Sequence, residues 1–172
     1  GETLDLHAPL NEDSILEIIT AKSEDAHHIL MHSAAHLLAQ SIKEVFPSAK
    51  IAIGPALKDR FYYDIDVDES INEDILARLE KKMKEISKRN LHVQRKVFPR
   101  NEAIDLFKKL NEDYKVEIIS ELDESEEISA YEQGEFIDLC RGPHVPSTGK
   151  IKFFKLLSTA GAYWRGDEKN KM

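Results

Sequence analysis

A helical apolar stripe between residues 29 and 45 most constrains the fold. Its apolar residues recur at spacings of three and four, and Pro47 ends the pattern, so the sequence predicts a helix from about Ser23 or Asp25 to Phe46. The stripe consists of Ile29, Leu30, Leu37, Leu38, Ile42 and Val45. A chain of 172 residues buries about 70% of its unfolded surface, so it can cover this stripe with a real core and needs no disulfides.

Further elements follow in irregular alternation. Ser70 and Glu73 form a capping-box pattern that predicts a second amphipathic helix ending near Asn90. A short helix is predicted over residues 101–110, with Asn101 as its cap. Strands are predicted over residues 3–6, 15–19, 51–53, 60–67, 91–98, 115–119, 135–140, 151–157 and 162–165. Because strands often follow one another directly, we predict an α+β fold, with antiparallel sheets packed against the long N-terminal helix and the second amphipathic helix.

The charge distribution limits the function classes. A net charge of −8 argues against a general nucleic-acid binder, which needs a basic surface. Residues 78–115, however, contain twelve Lys and Arg against six Asp and Glu, whereas residues 121–127 are almost entirely acidic. The sequence is therefore compatible either with one basic flank or with solvated helix faces that bind nothing.

The cellular compartment follows from cysteine use and hydropathy. The single cysteine excludes an internal disulfide, and acidic residues interrupt the first thirty positions where a secretory signal would need an apolar run. No apolar stretch approaches the roughly 18 residues of a membrane helix. We therefore expect a cytoplasmic protein without a membrane partner.

The first motif with chemical content is His32-Ser33-Ala34-Ala35-His36, on the predicted long helix. Its two imidazoles are one turn apart and about 5–6 Å from each other at Cβ, so they can face one ligand. No glutamate follows the first histidine, which excludes the metalloprotease arrangement. The spacing alone is more often that of two residues on the polar face of a helix than that of a site.

The second motif is Cys140-Arg141-Gly142-Pro143-His144. Asp138 and Cys140 are two residues apart on a predicted strand and share a face, and the Gly-Pro turn then presents His144. A buried cysteine that acts as a small apolar residue is the alternative interpretation. Combined with His32 and His36, the motif favours a functional site.

Two chemistries suit these residues. Three neutral imidazoles and a thiolate can bind zinc tetrahedrally, and a zinc ion with an open position lowers the pKa of its water to about 7. Without metal, a histidine near its ordinary pKa of about 6.5 can orient or deprotonate water while a lysine stabilises the oxyanion. Both chemistries lead to hydrolysis of an activated carbonyl.

Six motifs together resemble one protein family, the N-terminal editing region of bacterial-type threonyl-tRNA synthetase. In chain order they occupy residues 32–36, 52–55, 61–64, 114–117, 138–146 and 159–166, and the last two are the most specific. Arg60 departs from the family, which often has glycine before the Phe61-Tyr62-Tyr63-Asp64 run. The resemblance implies that residues 24–172 form an aminoacyl-tRNA editing domain ending at the linker to a missing catalytic core. Residues 1–23 resemble the end of a ubiquitin-like (TGS) module.

The resemblance implies hydrolysis of seryl-tRNA(Thr), made in error by the parent threonine–tRNA ligase. The chain itself contains no ATP-dependent core, so we expect it to work with the rest of a homodimeric synthetase. Carried over residue by residue, His32 and Lys115 position water and stabilise charge, while Asp138 and Tyr63 hold the aminoacyl group. His36, Cys140 and His144 complete the pocket, and Arg141 contributes to substrate binding.

The resemblance also bears on the metal. Related alanyl-tRNA editing proteins bind zinc with a similar set of residues, whereas the threonyl family edits through ordered water, so we favour a reaction that requires no cofactor. If zinc binds, its ligands are His32, His36, Cys140 and His144. The alternatives are an alanyl-type zinc-dependent editing domain and a zinc-stabilised RNA-binding or structural module.

Overall fold

Four helices and two small antiparallel sheets make up the computed structural model, which describes residues 3–6, 8–57, 59–161 and 163–164. The helices are α1 (Ala26–Val45), α2 (Glu73–Arg89), α3 (Arg100–Lys109) and α4 (Asp113–Glu121). The strands are β1 (Lys50–Ile51), β2 (Ile65–Asp66), β3 (Val93–Phe98), β4 (Ile128–Gln133) and β5 (Phe136–Leu139). The predicted α+β class is confirmed. No helix within the described ranges is both long and apolar enough to cross a lipid bilayer.

The three-stranded sheet has the order β3-β4-β5, and all its pairings are antiparallel. Tyr131 at the centre of β4 pairs with Arg95 on one side and with Asp138 on the other. The smaller sheet pairs β1 with β2. The central strand therefore sets the position of Asp138, which is the last buried residue of β5.

Helix α1 lies at the centre of the molecule because small residues let it pack on two sides. Ala34 and Leu37 face Met83 and Ile86 of α2. Ala35 and Ala39 face a second cluster, which contains Ile51, Tyr63 and Phe136. With both faces covered, two polar residues of the predicted motif, Ser33 and His36, are also buried.

The strand predicted over residues 115–119 is wrong, because this segment belongs to α4. The backbone N–H groups of Lys115 and Val116 both donate to the Glu112 carbonyl and start the helix. Lys115 and Ile119, four residues apart, then share its buried face. The strong β-propensity of Val116, Ile118 and Ile119 is overridden by this tertiary burial.

Other predictions failed for identifiable reasons. Residues 151–157 form no strand, because the segment bonds to side chains of α2: Ser87 Oγ donates to the Ile151 carbonyl at 2.7 Å and the Leu156 N–H donates to Glu80 Oε2 at 3.2 Å. Residues 3–6 and 15–19 are likewise without strands. A last strand was predicted over residues 162–165. Residues 162 and 165 of this segment lie outside the described part of the chain.

Two helix caps also differ from the predictions. Asn72, not Ser70, caps α2, since its Oδ1 accepts from the Ile75 N–H at 2.9 Å. Asn101 lies within α3, whose cap position is Pro99. Strand β4 was missed altogether. The remaining long elements, α1, α2 and β3, end within about two residues of the predicted bounds.

Candidate active site

Four side chains from distant parts of the chain form one cluster, which we call the His/Cys cluster: His32 and His36 from α1, and Cys140 and His144 from the turn after β5. One nitrogen or sulfur atom from each lies within 4.8 Å of those of the others. His36 and His144 are buried, whereas His32 and Cys140 are partly exposed. The structure thus brings together the two motifs that the sequence analysis singled out.

Cys140 is at the centre of this arrangement. Its Sγ lies 3.3 Å from Nε2 of His32 and 3.3 Å from Nε2 of His144. The backbone N–H of Gly142 donates to the same sulfur, also at 3.3 Å. The turn that follows Cys140 therefore holds its thiol, which faces His32 from α1 and His144 from the turn.

The turn itself requires glycine at position 142. Its φ is +80°, and a Cβ added there would lie 1.9 Å from the hydroxyl oxygen of Tyr131. The Tyr131 ring in turn packs against His144, with 4.4 Å between ring centroids. Strand β4, through Tyr131, thus forms one wall of the cluster.

A buried ionic layer lies next to the histidines. Lys115 Nζ is 2.6 Å from Asp138 Oδ1 and donates a 2.9 Å hydrogen bond to the Tyr63 hydroxyl. The Tyr63 hydroxyl donates to the other carboxylate oxygen of Asp138, and His36 Nδ1 lies 3.6 Å from that oxygen. Lys115 and Asp138 are 2% and 0% exposed. The pair is therefore cut off from solvent but connected to the cluster through His36.

Burial keeps the cluster uncharged at neutral pH. It lowers the pKa of His36 and His144 well below 6.5, and the proximity of the other imidazoles lowers both further. The pKa of His32 is lowered for the same reason, chiefly by burial. Burial also raises the pKa of the Cys140 thiol to about 12. At pH 7 the site offers neutral imidazoles, which can accept protons, and a protonated thiol.

The donor set fits a zinc ion. Three imidazole nitrogens and one sulfur are a known tetrahedral ligand set, and bonds of about 2.0–2.3 Å place such ligands roughly 3.3–3.8 Å apart. The two sulfur–nitrogen distances of 3.3 Å lie at the short end of this range, and the four ligand atoms as a set lie within 4.8 Å of one another, so they would have to close in on an ion. Bound zinc would supply Lewis acidity or an activated water only if one position stayed open, whereas four protein ligands would make the site purely structural.

Arg141 does not join the cluster. Its side chain is 74% exposed and forms an ion pair with Glu126 of the acidic segment. Conversely, sequence reasoning missed Ser33 and Tyr131, both of which contact His144. The sequence could have indicated Ser33 as a site residue, because it lies inside the first motif three residues before His36, on the same side of the helix.

The lowered histidine pKa values predict an acid-labile fold. Below pH 6.5 the unfolded chain binds protons that folded His36 and His144 do not, so the free energy of unfolding should fall as the pH drops toward their folded pKa values. Each such histidine contributes a slope of up to about 1.4 kcal/mol per pH unit. Urea titrations between pH 7.5 and 5, with chelator present, measure this slope.

The matched variants are His144→Asn and His27→Asn. The first removes one buried titrating ring and should flatten the pH dependence, whereas the second changes an exposed ring at the start of α1 and should leave it as in the wild type. Equal slopes for the wild type and His144→Asn would contradict the assignment of the acid lability to this cluster.

Comparison with known proteins matches this sequence to one group of enzymes. Residues 128–172, which include β4, β5 and the Cys140 turn, match the family described as the threonyl and alanyl tRNA synthetase second additional domain. All 172 residues align with threonine–tRNA ligases, at 54% identity for Clostridium tetani, 54% for Pelobacter propionicus and 53% for threonine–tRNA ligase 1 of Bacillus subtilis. The chain spans 27% of the length of each of these relatives. The comparisons thereby confirm the resemblance that the motifs predicted, which is to a region of the bacterial-type threonyl-tRNA synthetases.

Proposed function

We propose that this chain hydrolyses the aminoacyl ester of seryl-tRNA(Thr), as the proofreading part of a threonyl-tRNA synthetase. The observation that carries the proposal is the His/Cys cluster, in which neutral imidazoles and a thiol lie beside the Lys115–Asp138–Tyr63 layer. This arrangement suits water attack on an ester carbonyl, since it combines proton acceptors with a fixed positive charge.

The need for such a reaction is physical. Threonine and serine differ by one methyl group, which is worth only about 1–3 kcal/mol in a binding pocket. A synthetase that selects threonine by binding alone therefore attaches serine at an appreciable rate. A second, smaller pocket that rejects the threonine methyl by shape can remove the seryl ester and spare the correct product.

In the proposed reaction His32 positions the attacking water, because its ring is the most exposed of the three in the cluster. Water oxygen bonds to the ester carbonyl carbon while an imidazole takes one water proton. The bond to the ribose oxygen then breaks, and that oxygen receives the proton. The products are serine and tRNA(Thr), so no cofactor enters the balance.

The remaining residues hold the substrate and stabilise charge. Lys115 stabilises the developing negative charge, and Asp138 and Tyr63 hold the aminoacyl group beside it; because all three are buried, the substrate must open this layer to reach them. His36, Cys140 and His144 complete the pocket wall. Arg141 lies outside the cluster, so its proposed substrate contact is with the RNA, and engaging RNA requires it to leave Glu126.

The decisive experiment compares deacylation of seryl-tRNA(Thr) and threonyl-tRNA(Thr) by the 172-residue chain, with and without a zinc chelator. We expect hydrolysis of the seryl ester in preference to the threonyl ester, and no effect of the chelator. Equal rates for both esters, or none above the spontaneous rate, would contradict the proposal. Loss of activity on chelation, together with stoichiometric zinc by elemental analysis, would instead favour the alanyl-type zinc mechanism.

The close approach of four potential ligands supports a second candidate, a zinc-stabilised structural or RNA-binding module. In such a module the binding energy of the metal is folding energy, so its removal unfolds the protein. Thermal unfolding with and without chelator separates the two candidates. For an editing pocket we expect nearly superimposable melting curves, and a large drop in Tm on chelation would favour the structural role.

We also propose the wider setting of this activity. Residues 24–172 would form the editing unit and residues 1–23 would belong to a preceding TGS module. The unit would act with the rest of a homodimeric, cytoplasmic synthetase, which supplies the mischarged tRNA(Thr).

A further inference from the structure

The hydroxyl of Ser33 links α1 to the turn that carries His144. Its Oγ lies 3.0 Å from Nδ1 of His144 and accepts a 3.0 Å hydrogen bond from the backbone N–H of Val145. Ser33 is 2% exposed, so water does not compete for these bonds. A serine hydroxyl has one proton to donate, and with Val145 on one lone pair the remaining partner of this hydroxyl is the imidazole.

The direction of the Ser33–His144 bond follows from the partners of the hydroxyl. Among the contacts of the described residues, the single hydroxyl proton has one acceptor, Nδ1 of His144, so the hydroxyl donates to that nitrogen. A neutral His144 then carries its proton on Nε2, which lies 3.3 Å from Cys140 Sγ and donates to the sulfur. The thiol proton is then directed at the other imidazole at this sulfur, through Nε2 of His32, 3.3 Å away.

We propose that Ser33 is a positioning residue that holds His144 in the tautomer with its proton on Nε2, directed at Cys140 Sγ. The donors then run in one direction, from the Val145 N–H through Ser33, His144 and Cys140 to Nε2 of His32. Every polar hydrogen in this series has an acceptor, which fixes both rings and the thiol. Because a thiol is a weak donor, the attacking water can replace it at Nε2 of His32 while the rest of the series stays in place.

A metal would reverse one step of this series. Zinc on Nε2 of His144 needs that nitrogen without a proton, so Nδ1 would carry the proton and donate to Ser33 Oγ. The hydroxyl can accept this bond on its second lone pair. The tautomer of His144 therefore distinguishes the metal-free arrangement from the zinc-bound one.

Long-range ¹H–¹⁵N NMR on the ¹⁵N-histidine-labelled chain, with chelator and above pH 7, tests the proposal directly. The His144 signals are assigned from their loss in His144→Asn. In the wild type we expect a protonated Nε2 and an unprotonated Nδ1 for His144. A proton on Nδ1 of the metal-free wild type would overturn the proposal, whether or not any Ser33 variant folds.

Ser33→Ala removes the hydroxyl that bonds to Nδ1 and should leave His144 as a mixture of tautomers. The matched control is Ser41→Ala, a fully buried serine of the same helix whose hydroxyl donates to the Leu38 carbonyl at 2.7 Å. It should leave the His144 signals as in the wild type. An unchanged His144 tautomer in Ser33→Ala would overturn the positioning role.

The expected effect of Ser33→Ala on deacylation rests on the proposed function. In metal sites, loss of the hydrogen-bond partner that orients a histidine typically lowers activity about 10–100-fold. By the same reasoning Ser33→Ala, which releases the pocket-wall ring of His144, should lower kcat for seryl-tRNA(Thr) by about this factor with KM little changed. Ser41→Ala should retain wild-type kcat. If the wild type does not deacylate, the proposed function fails, and the NMR measurement still decides the role of Ser33. A wild-type kcat in folded Ser33→Ala would count against the positioning role of Ser33.

Discussion

Replacing Lys115 with methionine should lower the free energy of unfolding by about 3–5 kcal/mol, the range for a buried ion pair that loses one partner. Methionine preserves most of the aliphatic stem, so the change removes the charge and little packing. It leaves Asp138, which is 0% exposed, without its counter-ion and removes the donor to Tyr63. Urea unfolding of the wild type and the variant measures the difference.

Two further variants show whether unpaired charge is the cause. Lys50→Met, which breaks the exposed Lys50–Asp113 pair at the start of α4, should cost at most about 1 kcal/mol. Adding Asp138→Asn to Lys115→Met removes the stranded charge and should recover part of the lost stability. A Lys115→Met protein as stable as Lys50→Met would mean that the ionic layer contributes nothing to the fold.

The largest expected effect on activity is that of His32→Ala. If this imidazole positions or deprotonates the attacking water, its removal should lower the rate of seryl-tRNA(Thr) deacylation by about 100- to 10,000-fold, the usual contribution of general acid–base catalysis. Stability should change little, because His32 is only partly buried. Single-turnover deacylation with the variant in excess measures the chemical step.

His28→Ala is the matched control for this experiment. His28 lies one helical turn before His32 on α1 and is exposed, so its loss should leave the deacylation rate unchanged. Retention of wild-type activity by His32→Ala would remove the proposed role of this imidazole.

The sequence was sufficient to predict those elements whose pattern is local. Helix α1 has a long apolar stripe and ends before Pro47, and the basic helix α2 has a regular stripe up to Asn90. Strand β4 was missed because its sequence, Ile128-Ser129-Ala130-Tyr131-Glu132-Gln133, has few β-branched residues. It is a strand because β3 and β5 pair with it on both sides, a condition that no local window contains.

The residues of the candidate site likewise include some that local spacing could predict and others that depend on the packing of distant segments. Spacing within each motif indicated which side chains share a face, and the family resemblance brought in Lys115 and Tyr63. Local reasoning placed Lys115 on a strand, whereas the structure places it on α4, where it reaches Asp138. The pairing of Ser33 with His144 spans 111 residues, so it depends on the packing of α1 against the late turn and could not be derived from either motif alone.

The distance along the chain between the two halves of the cluster has a consequence for protein synthesis. Cys140 follows His32 by 108 residues, which a ribosome adds in roughly 5–20 s at about 5–20 residues per second. During this interval the α1 face that Val145 and Ile151 later cover is without part of its partner surface. A nascent chain interrupted before residue 140 would thus carry only His32 and His36 of the His/Cys cluster, together with an exposed apolar helix, which makes it a substrate for chaperones and proteases.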